Sequence, residues 1–291
     1  MFIPDDGVDN KSYPLLLAFS RQTPTRALGL AVVNDPSHNA ATTELRAVDA
    51  TGARVVVAGR TGGWLELHDA VGEVRVSDVE QPLTSLEADS FMPVFLELQR
   101  VPDEDHDKAP DFSHVWHHPI TAGGARLMRG ELGAVRILDD GSVLACGSYR
   151  GPAPAPGCGG DDGGWLVLRH TAAGDGAAEC VPLGIDQPGV CTRIAESGDG
   201  SVWLGGVGAS EGAAPPRGVL VHLDASLQVV GRLELPGPGS IVSGVAPTGD
   251  GDAWVVGSFA TELASFPAGG AVPEATGGAG DWDFFLARWS P

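Results

Sequence analysis

Lysine is nearly missing from this 291-residue chain: Lys11 and Lys108 are its only two, against 38 Asp and Glu. The formal net charge is −20, and almost all the positive charge is carried by arginine. A phosphate backbone needs a basic footprint, so this balance argues against a nucleic-acid partner, and it disfavours docking on anionic lipid too. Long apolar runs are absent as well. Nothing approaches the ~20 residues that span a bilayer, and Met1-Phe2-Ile3-Pro4-Asp5-Asp6 lacks the basic and apolar regions of a secretory signal. Membrane insertion is therefore not expected. Aromatic residues are scarce at 6%, and cysteine is limited to four residues in one central stretch. What is abundant is backbone punctuation, 42 Gly and 22 Pro, close to twice their usual joint share. Gly costs about 1 kcal/mol and Pro about 3 inside a helix, which excludes long helical bundles. A hydrophobic fraction of 43% excludes general disorder. An all-β, loop-rich protein remains.

A repeat organises it. Leu45–Gly59 (LRAVDATGARVVVAG), Val135–Gly147 (VRILDDGSVLACG), Ile194–Gly206 (IAESGDGSVWLGG) and Val245–Gly257 (VAPTGDGDAWVVG) each read as strand, turn, strand and closing glycine. The turn glycines are Gly52, Gly141, Gly200 and Gly251, and Asp-Gly-type turns between apolar strands signal hairpins. The first unit carries one extra residue between its two glycines. A variable loop and a third strand follow each hairpin, at Val94–Leu98, Trp165–Arg169, Val219–Leu223 and Phe284–Arg288. Fourth strands are expected at His114–Ile120, Ala178–Leu183 and Val229–Leu235. One such sheet cannot bury both faces alone, whereas radial stacking of several can. The expected fold is an all-β, β-propeller of about four to five four-stranded blades. In the same frame Pro14–Phe19 reads as a third strand and Arg26–Val33 as a fourth. An N-terminal strand could then complete the last sheet and close the ring, or Pro14–Phe19 could nucleate a fifth sheet; alternatively Met1 lies inside a longer protein and the ring is incomplete. The expected organisation is a flexible N-terminus at 1–12 and one domain at 13–291. Its units lie near 44–121, 133–184, 190–236 and 241–290, with an N-terminal half unit at 13–34.

The repeat resembles bacterial β-propeller repeats of the secreted myxobacterial type. Gly257-Ser258-Phe259, Gly277–Gly280 and Asp283–Arg288 form the closest copy, and Val56–Arg60 with Phe91–Leu98 a looser one. Asp199–Gly206 is similar to the propeller repeats of periplasmic sensor-kinase domains. The second unit departs from the pattern, with Tyr149 and Arg150 after Gly147-Ser148 and a Pro-rich loop. The resemblance bears on fold more than on function.

Cys146, Cys158, Cys180 and Cys191 are read as disulfide partners, with the local pairings Cys146–Cys158 and Cys180–Cys191 expected. Zinc is the competing reading, but a close C-x₂₋₄-C pair is absent. Disulfides imply an oxidising compartment, so an extracellular or cell-envelope location is expected although no export signal is visible.

Other motifs carry less. Gly208-Ala209-Ser210-Glu211-Gly212 matches a hydrolase nucleophile elbow, but Pro215-Pro216 forbids the helix that elbow needs. Asp103–Asp107 lacks the Gly and Glu that an EF-hand loop requires, having Lys108 and His114 there. His114, Trp116 and His118 would share one face of a regular strand. There they could meet a divalent metal or simply form an outer strand. Trp64 and Trp282 sit in or beside variable loops and could line a glycan or peptide surface, while Trp165, Trp203 and Trp254 are expected in the core. No catalytic residue, cofactor or metal site is assigned. The expected function is a non-catalytic scaffold that recognises a protein or carbohydrate through its long inter-strand loops, which makes Trp64, His114, Trp116, His118 and Trp282 its candidate contacts. The alternatives are a hydrolase or lyase with a site in the central channel, or the sensory propeller domain of a longer protein.

Overall fold

The computed structural model describes residues 43–61, 92–100, 112–119, 129–151, 153–154, 158–160, 163–171, 178–184, 188–208, 215–235, 239–260 and 283–291, together with strands at 15–19, 27–34, 65–69 and 72–75. Every regular element among them is a β-strand. In chain order they begin with β1 (Leu15–Phe19), β2 (Ala27–Asn34), β3 (Thr43–Thr51), β4 (Arg54–Thr61), β5 (Leu65–Asp69) and β6 (Gly72–Arg75). Then come β7 (Met92–Arg100), β8 (Phe112–Pro119), β9 (Arg129–Ile137), β10 (Val143–Arg150), β11 (Gly163–His170) and β12 (Glu179–Cys180). The last are β13 (Gly189–Glu196), β14 (Val202–Gly208), β15 (Arg217–Leu223), β16 (Val229–Glu234), β17 (Ile241–Pro247), β18 (Ala253–Phe259) and β19 (Asp283–Trp289).

The strands form five antiparallel sheets: β1-β2-β5-β6, β3-β4-β7-β8, β9-β10-β11-β12, β13-β14-β15-β16 and the three-stranded β17-β18-β19. Of the two expected arrangements of the N-terminus, the strand at 15–19 takes the one that builds a further sheet. β1 pairs with β2, and β2 with β5, so these strands belong to a sheet of their own and add nothing to the last one. β5 and β6 lie inside the stretch 61–91 that reads as a loop, and they supply the other half of that first sheet. Both segments alternate apolar and polar residues, LELHD and GEVR, but each is too short to announce a strand.

Three hairpins share one turn. Leu138 N donates to Ser142 O and Gly141 N to Leu138 O, both at 2.8 Å. Asp140 Oδ1 accepts from Ser142 N at 2.8 Å and Ser142 Oγ at 2.6 Å, locking the turn from its own side chain. Ser197–Ser201 repeats this arrangement around Asp199, and Thr248 N donates to Asp252 O in the fifth sheet. Only the glycine takes positive φ, 80° at Gly141 and 80° at Gly200, which is the three-residue loop with a left-handed closing position. The second sheet differs: Thr51 pairs directly with Arg54, leaving a two-residue loop that opens on Gly52 at φ 58°. The longer spacing from Gly52 to Gly59 thus arises because Gly52 opens a loop one residue shorter whereas Gly141 closes its own, and the strands keep the common frame.

The closing glycines are not strand ends. Gly147 pairs with Leu132 inside the sheet, opposite a β-bulge at Gly133. Gly59, Gly206 and Gly257 stand in the same relation to bulges at Arg46, Thr192 and Ser243. At each bulge a first-strand carbonyl presses against the glycine: a Cβ on Gly147 would fall within bonding range of Glu131 O. Any side chain there would have to displace the backbone.

Sheets two to five pack in succession, each first strand lying on strands of the preceding sheet: β9 on β3, β4 and β7; β13 on β9, β10 and β11; β17 on β13, β14 and β15. Val56, Ala58 and Phe95 meet Leu132, Val143, Ala145 and Leu166 in the first seam. Leu144, Cys146 and Val167 meet Cys191, Val202, Leu204 and Val221 in the second. Trp203 and Leu220 meet Val242, Val255 and Phe285 in the third. β10 sends Val143 and Ala145 to one seam and Leu144 and Cys146 to the next, so both of its faces are buried. That explains the unbroken apolar run VLAC where a half-buried strand would alternate.

Packing also overturns the expected cysteine pairing. Cys146 on β10 lies at disulfide distance from Cys191 on β13, with Cα atoms 5.5 Å apart across the second seam. Cys158 pairs with Cys180 on β12, Cα atoms 5.1 Å apart. Proximity in sequence favoured the local pairs, whereas sheet stacking brings together residues 45 positions apart.

Candidate functional site

The two ends of the sheets differ in kind. The hairpin turns at 52, 141, 200 and 251 define one end, and they are short and nearly uniform. At the other end the second strands finish and the third strands start, with Thr61 opposite Met92, Arg150 opposite Gly163, Gly208 opposite Arg217 and Phe259 opposite Asp283. The connections 62–91, 151–162, 209–216 and 260–282 therefore all leave from the bulged end, and they differ widely in length. That end is the candidate binding site, because loops on a rigid sheet can vary without disturbing the seams.

Its described floor is charged and self-neutralising. Glu44, Arg46 and Arg60 of the second sheet close a four-membered ring with Glu131 of the third. Glu44 pairs with Arg60 at 2.7 Å and with Arg46 at 2.8 Å. Glu131 pairs with Arg46 at 2.9 Å and with Arg60 at 3.3 Å. The hydrogen bond from Arg60, then that from Arg46, holds the Glu44 carboxyl below its ordinary range. Each carboxylate bridges two arginines, so the ring is well placed to fix the bulged ends of two adjacent sheets. On the fourth sheet Arg193 donates to Ser243 O at 2.5 Å and to Thr192 O at 2.6 Å, joining the bulges of two further sheets.

The loop 151–162 is the best anchored at this end. Tyr149 Oη donates to Gly160 O at 2.6 Å, and Gly163 takes φ 112° as the chain turns into β11. The Cys158–Cys180 pair ties the same loop to β12. Trp165, two residues beyond, is buried and donates from Nε1 to Val207 O at 2.9 Å on the fourth sheet.

The expected contact residues fare unevenly. Trp64 and Trp282 lie outside the described residues. Trp116 is a core residue, 8% exposed, edge-on to Phe95 with ring centroids 5.2 Å apart, and it donates from Nε1 to Glu97 Oε2 at 2.9 Å. A bulge at Val115 breaks the period of β8: Trp116 pairs with Glu97 and His118 with Phe95, but His114 pairs with Leu98. Among the described residues no cluster of metal-ligating side chains occurs.

A second repeated feature escapes sequence reading altogether. Next to each hairpin, a charged residue at the turn faces one on the third strand. Asp140 pairs with Arg169 at 2.6 Å, and Asp252 pairs with Arg288 at 2.6 Å. The second sheet inverts the signs: Arg54 holds buried Glu97 with two bonds, at 2.7 and 2.8 Å, and donates across the seam to Gly141 O at 2.8 Å. In the fourth sheet the position belongs to His222. The only signal in the sequence is a charged residue close to the end of the third strand, one residue before it at Arg169 and Arg288, too weak to separate from ordinary surface charge.

The fifth sheet leaves one face open. Trp254, Val256, Phe284 and Leu286 are 44%, 42%, 79% and 59% exposed. Trp254 was expected in the core, and its register equivalent in the fourth sheet, Trp203, is fully buried. Among the described residues no helix is long and apolar enough to cross a membrane. No protein-family model matches this chain, and no curated protein matches it.

Proposed function

We propose that the chain is a β-propeller built on these stacked four-stranded sheets, and that it works as a non-catalytic binding scaffold. The bulged end is its recognition surface, with the connections 62–91, 151–162 and 260–282 as the variable elements and a protein or carbohydrate as the partner. The observation that carries this reading is the division of labour between the ends. The hairpin turns at one end are short and nearly uniform, whereas the second-to-third-strand connections at the other, from 209–216 to 62–91, vary widely; the turn end also carries the third-to-fourth-strand connection 101–111. The neutralised Glu44–Arg46–Glu131–Arg60 ring supports it, since it serves rigidity. The two cysteine pairs support an oxidising, extracellular or envelope setting.

The test replaces 76–91, 151–162 and 260–282 one at a time by short glycine-containing turns, the first chosen to keep β5 and β6, with the fold checked by far-ultraviolet circular dichroism. Each variant is then probed on arrayed oligosaccharides and on arrayed extracellular proteins. Binding by the parent chain that falls at least ten-fold in one loop variant is expected. Binding that survives every loop replacement would overturn the assignment of this end.

A further inference from the structure

His222 of β15 stands where the third and fifth sheets carry a paired arginine. It is 8% exposed, and neither Nδ1 nor Nε2 has a hydrogen-bond partner. Its ring stacks on Trp203 with centroids 4.0 Å apart and planes 12° from parallel. Trp203 in turn meets Trp289 of β19 edge-on at 5.2 Å, so the imidazole lies in the seam between the fourth and fifth sheets. On its other side the register places Gly231 of β16, where Trp289 and Pro291 approach closely enough that a Cβ would lie 3.3 and 3.1 Å from them. We infer that His222 is an acid-sensitive latch: neutral, it packs the fifth sheet onto the fourth, and its protonation loosens β17–β19.

The physical reason is that a neutral imidazole tolerates this apolar slot, while an imidazolium would bring a charge and two donors with no acceptor. Burial holds the pKa of His222 below the ordinary histidine value, against the pull of Asp199 and Asp224, which raise it. Those two carboxylates flank it in the neighbouring turns. On β16, Arg232 and Glu234 pair with each other at 2.5 Å. Across the seam Arg288 is engaged with Asp250 and Asp252. β14 and β17 carry no charged residue. A protonated His222 is therefore drawn toward Asp199, the position that Arg169 and Arg288 already occupy in their own sheets, and it can reach there only by leaving the stack on Trp203. The sign follows: a group whose folded pKa is depressed contributes stability above its unfolded value, near 6.5, and withdraws it as the pH falls.

The experiment follows amide exchange in β17–β19 of the full chain at pH 7.5 and 5.5, corrected for chemical exchange, alongside the titration of the His222 ring protons by NMR. The parent chain should show faster opening of β17–β19 at pH 5.5, by up to roughly ten-fold, the limit set by the one unit between that pH and the unfolded value near 6.5. His222→Phe keeps the stack but cannot titrate, and His222→Arg restores the turn pairing. Acid-induced opening should vanish in both. Equal acid dependence in the parent and both variants, or a His222 ring that titrates with no change in β17–β19, would overturn the latch.

Discussion

Trp203 and Trp254 occupy the same register position in neighbouring sheets, yet one is fully buried and the other 44% exposed. β14 is buried at almost every residue, whereas β18 and β19 alternate buried and exposed. The fourth sheet is gripped on both faces. The fifth is gripped on one and, among the described residues, is also a strand short. What separates them is therefore not the quality of the repeat, since both hairpins share the same turn and the same bulge. It is the presence of a neighbour. A sheet in this architecture gains its core from the next sheet, so stability should run unevenly along the chain.

The sharpest test of that contrast is Trp203→Ala against Trp254→Ala. Removing the buried indole should cost about 3–5 kcal/mol, while the exposed one should cost under about 1. Denaturant midpoints at constant slope would measure both, and equal losses would break the comparison. Next comes the double substitution Cys146→Ser with Cys191→Ser, which cuts the only covalent link across a seam among the described residues. A loss of about 2–4 kcal/mol is expected, with faster exchange in β10 and β13 and little change in β17–β19. Smallest is Phe284→Ser with Leu286→Ser on the open face. Stability should stay within about 0.5 kcal/mol, and solubility at high concentration should rise.

Much of the sheet structure was legible beforehand. The four turn glycines, the hairpins around them and the third strands all follow from local rules, because a positive φ and an apolar run are properties of a few neighbouring residues. Gly147 and its equivalents gave a fainter signal. A glycine in the middle of an apolar strand implies a bulge or a close backbone approach, but only the paired strand shows which. The candidate site was less legible. The loops could be located by what the repeat leaves over, but Glu44, Arg60 and Glu131 meet only because two sheets stack, and Trp116 turned out to serve the seam.

The glycine and proline excess already excluded a helical bundle, and the low lysine count left the chain with a net charge of −20. The chain by itself thus determined an all-β protein, its hairpins and the places where its loops could grow, since these depend on backbone preferences within a dozen residues. Tertiary structure alone decided the rest. It joined Cys146 to Cys191 rather than to Cys158, gave β1 and β2 their own sheet, and buried His222 while its counterparts stayed paired. Each of these depends on contact between segments far apart in the chain, where local sequence exerts no constraint and only the packing of one sheet on another can choose.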